Sequence, residues 1–269
     1  MLAKRIIVGL IICPLAFLVI VIGGWSYALA ITVMLGVAGW EYWRMIRNGG
    51  FTPSLILLVG GIVALSLFQQ IFSHPHNDFT FSVLILTAMT ISVYRYELGQ
   101  DQPASNFALS LTGLVYLGWM GSYLIPLRNL PDGLWWMLTA LPAAWASDIG
   151  AFFIGSQIGK HRLAPRVSPR KSWEGYLGGL PFAILWGVGM AWFAQAHVPA
   201  ITPLKGALLG LVIGLTAPLG DLFESLLKRQ FGLKDTSNLL PGHGGVMDRI
   251  DSTLWTGVVS YYLITLFML

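Results

Sequence analysis

Apolar residues run along this chain in long blocks, broken by short polar segments. Nine blocks approach the roughly 20 residues a helix needs to cross a bilayer. They lie at about 6–23, 26–43, 54–72, 79–94, 104–126, 133–155, 174–194, 202–228 and 253–268. The pattern predicts an all-α, polytopic transmembrane helical bundle of about nine spans. The fourth block is short, and the second and third have polar ends, so eight or ten crossings also fit. The first block has Pro14 and no small-residue cleavage site, which predicts a retained helix rather than a signal peptide.

Nine crossings divide the basic residues unevenly. The N-terminus and the loops after spans 2, 4, 6 and 8 collect Lys4, Arg5, Arg44, Arg47, Arg95, Lys160, Arg162, Arg166, Arg170, Lys171, Lys228, Arg229, Lys234 and Arg249. The opposite side keeps Arg128 and Lys205. The positive-inside rule then predicts a cytoplasmic N-terminus.

Composition agrees. Of 269 residues, 55% are hydrophobic and 10% charged, and the mean hydropathy is +0.70. Globular chains carry about 25% charged residues, so a soluble enzyme, a disordered chain and a collagen-like chain are excluded. A net charge of +4 would suit nucleic acid, but in a membrane protein Lys and Arg mark cytoplasmic loops, so no nucleic-acid partner is expected. Cys13 is the single cysteine and cannot form an internal disulfide. The organisation expected is one integral membrane domain over 1–269, with 1–130 mainly structural and 145–252 carrying the chemistry.

The first polar constellation closes span 6: Asp148, Gly150, Gly155, Gly159 and Lys160. An acid within an apolar run costs a few kcal/mol at the bilayer centre. Asp148 is therefore either a helix-end residue reaching water or a ligand for a cation or polar substrate. The loop that follows carries His161, Arg162, Arg166, Arg170 and Lys171, stiffened by Pro165 and Pro169. A solvated face attracted to anionic lipid explains it by itself. Ser172-Trp173-Glu174 opens the next span, however, as a helix N-terminus suited to a phosphate.

The second constellation ends span 8. Asp221, Glu224, Ser225 and Lys228 fall at i, i+3, i+4 and i+7, one face of a helix. Lipid cannot solvate that stripe, so it faces protein or a wet cavity. Upstream, Gly206, Gly210 and Gly214 repeat every four residues, a seam for close helix packing. The loop beyond contains Lys234, Pro241, Gly242, His243, Gly244, Gly245, Asp248, Arg249 and Asp251. Its glycines permit positive φ, and successive amides there can form an anion nest. Carboxylates without a Cys or His cluster suit Mg²⁺. His243 reads as a phosphate donor or a structural hydrogen-bonding residue. His74, His76 and His197 fall in external loops.

The stretch from Ser225 through Lys228-Arg229, Lys234-Asp235, Ser237, Leu240-Pro241, His243-Gly244-Gly245 and Asp248-Arg249 to Asp251 resembles the signature of the phosphatidate cytidylyltransferase (CDP-diacylglycerol synthase) family. About fifteen constrained positions over 27 residues make the match specific. The Asp148–Lys160 stretch and Ser168 to Gly175 resemble the family as well. Phe152 departs from it, since relatives often carry tyrosine there. The resemblance implies the reaction of CTP with phosphatidate to give CDP-diacylglycerol and pyrophosphate. It implies Mg²⁺, with a monovalent cation such as K⁺ as companion, and a homodimer.

On that basis Asp221 and Asp248 are expected as principal metal ligands, Asp251 in support, and Asp148 and Glu224 as outer ligands or orienters. Lys171, Arg170, Lys228, Arg229 and Arg249 are expected to clamp phosphates, since guanidinium binds them in bidentate fashion. Ser172, Glu174, Lys234, His243, Gly244 and Gly245 complete the expected substrate-binding set. The site should open to the cytoplasm for CTP and to membrane lipids for phosphatidate, in a bacterial inner membrane. A secondary transporter, a CTP-dependent lipid kinase and a membrane scaffold are the rival readings.

Overall fold

The computed structural model of the protein describes residues 14–72, 75–240 and 242–269. Lys4, Arg5, Cys13, His74, Pro241 and residues 6–13 of the first expected span lie outside them, as does the side chain of His76. Residues 14–22 are helical. The remaining helices are α1 (Gly24–Asn48), α2 (Leu55–Ile71), α3 (Pro75–Glu97), α4 (Pro103–Gly113), a π-helical stretch (Leu114–Met120), α5 (Leu124–Asn129), α6 (Gly133–Ile158), α7 (Trp173–Gln195), α8 (Pro203–Gln230) and α9 (Met247–Phe267). Each expected span from the second onward coincides with helix, the fifth being divided among α4, the π-helical stretch and α5.

Among the described residues, five helical segments are long and apolar enough to cross a bilayer: Asp78–Glu97, Pro103–Asn129, Gly133–Ile158, Trp173–Gln195 and Pro203–Gln230. The 17-residue α2 is apolar but shorter. Ile56, Leu185 and Trp192 keep 85%, 69% and 72% of their surface accessible. Large apolar side chains turned outward to this extent suit lipid rather than water. The chain is an integral membrane protein.

A strand pair was not expected. The basic loop forms a small antiparallel hairpin, β1 (Arg162–Ala164) and β2 (Ser168–Ser172), with Arg162 opposite Ser172 and Ala164 opposite Ser168. Pro169 is accommodated because a two-stranded ribbon is all edge. The all-α reading is corrected to that extent.

The chain forms two compact units, each assembled from separated segments. The first comprises residues 1–126 and 230–250; the second comprises 127–229 and 251–269. The segment rich in signature residues thus belongs with the N-terminal helices rather than with 145–229. Helix α9 begins in the first unit and continues in the second.

In the first unit α1 packs on α2, and Gly39 receives Ile62 where a Cβ would collide. The Tyr42 hydroxyl donates to the Leu109 carbonyl at 2.9 Å, and the Tyr27 hydroxyl to that of Leu124 at 3.2 Å. These bonds satisfy tyrosine hydroxyls that burial would otherwise leave unpaired. Arg44 and Arg47 lie over the Trp40 and Trp43 rings at the C-terminal end of α1, where cations also meet the negative end of the helix dipole.

In the second unit α6 and α7 run closely side by side. A Cβ on Gly175 would come 2.7 Å from the Ala151 carbonyl oxygen, and one on Gly179 2.5 Å from that of Ser147. The expected seam on α8 meets α7: Cβ atoms on Gly206 and Gly210 would overlap the carbonyls of Gly187 and Ala183. Gly214 sits against Ala183 and Leu180. Without side chains between them the backbones approach closely, and dispersion replaces the hydrophobic drive that lipid cannot supply.

Candidate active site

The polar stripe on α8 forms as its spacing required. The Ser225 hydroxyl donates to Asp221 Oδ1 at 3.2 Å, and Lys228 Nζ lies 3.4 Å from Glu224 Oε1. Glu224 is fully buried. A second cation comes from the hairpin: Lys171 Nζ lies 2.5 Å from Asp221 Oδ2, with both side chains about a quarter exposed (24% and 29%).

Helix α9 adds a further acid. A Cβ on Gly220 would lie 2.7 Å from the Asp251 carbonyl oxygen and 3.1 Å from Trp255 Cβ, so α8 and α9 touch at the level of Asp221. Asp251 interacts electrostatically with Asp221 and Lys228. Asp148, which retains accessible surface on α6, interacts electrostatically with Lys171, Asp221 and Asp251. The second unit therefore gathers Asp148, Lys171, Asp221, Glu224, Lys228 and Asp251.

Several other expected residues here hold the frame. The Ser172 hydroxyl accepts from the Gly175 amide at 3.1 Å and caps α7. The Glu174 carboxylate accepts from the amides of Lys160 and His161, and pairs with His161 Nδ1 at 2.6 Å. It closes the hairpin base, so Ser172 and Glu174 together shape the edge of the site. Arg170 is exposed on β2. Arg229 Nε donates to the Val167 carbonyl at 3.4 Å, tying the end of α8 to the hairpin. Phe152, 71% exposed, turns outward and meets the Phe153 ring edge-on.

The first unit folds the signature loop around another acid. Asp248 Oδ2 accepts from the Thr236 amide (2.9 Å), the Thr236 hydroxyl (2.9 Å) and the Gly245 amide (2.7 Å). Gly244 has φ +83°, and a Cβ there would lie 2.7 Å from Asp248 Oδ2, so only glycine fits. The anion nest expected of Gly244 and Gly245 is corrected at Gly245, whose amide is turned onto Asp248. The amide of His243 likewise donates within the loop, to the Leu240 carbonyl. His243 Nδ1 is buried without a hydrogen-bond partner among the described residues. Lys234 and Arg249 are exposed.

Sequence reasoning passed over Glu41. It is fully buried in α1 and accepts from the Ser237 hydroxyl (2.5 Å), the Val246 amide (3.0 Å) and the Met247 amide (2.8 Å). The signal was present, because an acid within an apolar run had singled out Asp148 by the same logic. Glu41 escaped notice because its partners lie about 200 residues away in sequence.

The acids of the second unit offer oxygen donors alone, the chemistry that suits Mg²⁺. Among the described residues no three of them converge on one point; the ammonium groups of Lys171 and Lys228 neutralise Asp221 and Glu224 instead. The Lys171 ammonium stands against Asp221 as a bound cation would.

Residues 3–267 match the cytidylyltransferase family. The chain is 34% identical to the phosphatidate cytidylyltransferase of Synechocystis sp., covering 98% of this chain and 97% of that one. Against the enzyme of the same name from Bacillus subtilis it is 31% identical, over 98% of each chain. Against that from Pseudomonas aeruginosa it is 36% identical, over 94% and 93%. With acids and lysines gathered in an apolar helical frame, and a match running nearly end to end, this chain belongs to the cytidylyltransferase family.

Proposed function

We propose that the protein is a Mg²⁺-dependent nucleotidyltransferase that condenses CTP with phosphatidate, releasing CDP-diacylglycerol and pyrophosphate for phospholipid biosynthesis. The observation that carries this reading is the Lys171–Asp221 pair among further acids and Lys228, within helices otherwise built for lipid.

The chemistry is in-line transfer at phosphorus. A phosphate oxygen of phosphatidate attacks the α-phosphorus of CTP, and the bond to the bridging oxygen of the β-phosphate breaks, so pyrophosphate leaves with that electron pair. The attacking phosphate is already anionic near neutral pH, so no strong general base is needed. The barrier lies in bringing two anions together. Asp221 and Asp251, with Asp148 and Glu224 beside them, would hold Mg²⁺, and the family signature assigns Asp248 the same role. When bound, the ion neutralises charge on attacking and leaving oxygens. K⁺ as a companion cation follows from the same resemblance.

Lys171 and Lys228, each paired with a carboxylate in the structure, would exchange those partners for phosphate oxygens. Arg170 and Arg229 on the hairpin side, and Lys234, His243 and Arg249 on the signature loop, are assigned to the nucleotide and lipid phosphates. The accessible surface of Asp148 and the partly exposed Lys171–Asp221 pair support a site reachable from water.

The bias of basic residues toward one side supports a cytoplasmic site and N-terminus with about nine crossings. The bacterial relatives support the inner membrane. A homodimer follows from the resemblance alone.

The test is purified protein in detergent with phosphatidate and CTP labelled in the α- or γ-phosphate. The expected products are labelled CDP-diacylglycerol and pyrophosphate. Release of CDP with a γ-labelled lipid would make the protein a lipid kinase, and CTP-independent substrate flux in vesicles would make it a transporter.

A further inference from the structure

The carboxylate of Glu41 is the most deeply buried acid in the N-terminal helices, and the activity proposed above gives it no task. Removing a carboxylate from water costs several kcal/mol unless charged hydrogen bonds compensate. Among the described residues, compensation comes from the signature loop. The Ser237 hydroxyl donates from one end of that loop, and the Val246 and Met247 amides donate from the other, where α9 begins. One side chain thus staples both ends of the segment 237–246.

The same staple reaches Asp248. The Thr236 hydroxyl donates to Asp248 Oδ2 at 2.9 Å and lies 3.5 Å from Glu41 Oε2. Gly245 is wedged between the two acids: its amide donates to Asp248, and a Cβ on it would come 2.7 Å from both Glu41 oxygens. Asp248 takes its position from Thr236 and Gly245, and those residues take theirs from Glu41. Phe231 provides a separate apolar anchor for this segment, meeting the Phe51 ring edge-on and packing against Gly49. That contact holds the segment's beginning but sets no direction at Asp248.

We infer that Glu41 is a positioning residue: it fixes the signature loop and the start of α9, and through them the carboxylate of Asp248. The inference rests on the proposed transferase reading for its kinetic consequence, but the staple itself does not. Glutamine at position 41 keeps one acceptor oxygen and turns a donor toward the three donors of the loop. The loop should then loosen while the α6–α8 frame stays intact.

The experiment compares the wild-type chain with Glu41→Gln and with the milder Ser237→Ala in lipid–detergent micelles. Steady-state kinetics are taken in each substrate, and hydrogen exchange is followed by mass spectrometry. Losing an outer partner of a cation-binding acid typically costs about 10–100-fold. For Glu41→Gln the loss in kcat/KM should fall mainly on the KM for CTP, leaving the KM for phosphatidate within about twofold. Amides 245–247 should exchange at least about tenfold faster, with 206–220 unchanged. Ser237→Ala should move both readouts the same way by a smaller factor.

A CTP KM within about twofold of wild type in Glu41→Gln overturns the inference, as does a rise shared equally by both substrates or exchange accelerated evenly along the chain. If Glu41→Gln cannot be recovered folded, Ser237→Ala decides by the same criteria. A wild-type chain that forms no pyrophosphate from CTP and phosphatidate defeats the transferase reading instead, and the exchange of 245–247 still tests the staple.

Discussion

Lys171, at the end of a surface hairpin, places its ammonium 2.5 Å from the Asp221 carboxylate on α8. Fifty residues of sequence separate them, and the helix α7 with its glycine seams lies between. If Asp221 held Mg²⁺, as proposed, the Lys171 ammonium would be released to pair with a substrate phosphate. Lys171→Ala should therefore lower turnover by about 100-fold or more, the range for losing one preorganised charge partner of a developing anion. Pyrophosphate release measures the loss, and thermal unfolding should be nearly unchanged because the pair is partly exposed.

Asp248 separates two kinds of damage. Asparagine retains a carbonyl oxygen for the Thr236 and Gly245 donors, so Asp248→Asn should fold, insert and lose most activity. Asp248→Ala leaves those donors unpaired, at about 1–3 kcal/mol. It should lower the melting temperature as well, which a dye-monitored thermal scan in detergent would record.

The cost of a methyl group should depend on where it is added. Gly245→Ala drives a Cβ into Thr236 and Glu41, an overpacking worth about 1–3 kcal/mol. Gly232 has φ +68° but open space around it, so Gly232→Ala should cost about 1–2 kcal/mol from backbone conformation alone. Only the first should also impair catalysis.

The α7–α8 seam makes a parallel contrast. Gly206→Ala places a methyl against the Gly187 carbonyl and Ala191, and should sharply reduce the yield of folded protein. Gly189→Ala, with nothing within 4 Å, should be neutral or slightly stabilising through helix propensity. Monodispersity in size-exclusion chromatography distinguishes them.

Removal of divalent ions should abolish pyrophosphate release, and Mg²⁺ should restore it. Ca²⁺, with its longer bonds and looser geometry, should restore little. Activity retained in excess chelator would dismiss the metal from the reaction.

Periodicity and local chemistry made much of this legible beforehand. The i, i+3, i+4, i+7 stripe of Asp221, Glu224, Ser225 and Lys228 needs only helical geometry, and the Ser172 cap needs only a hydroxyl before an apolar run. Both formed as expected. The hairpin at 162–172 was hidden because a basic, proline-bearing loop has no strand periodicity; it is held at its base by the carboxylate of Glu174, which accepts from the amides of Lys160 and His161.

The chain's own order of residues determined that it lives in lipid, where its helices lie, and which family its signature matches, since each depends on composition or near neighbours. Tertiary structure alone decided that the signature loop joins the N-terminal unit, that Gly245 gives its amide to Asp248, and that a buried acid in α1 holds both in place. Those outcomes require groups about 200 residues apart to exchange hydrogen bonds, and no local pattern encodes which distant donor will satisfy a buried charge.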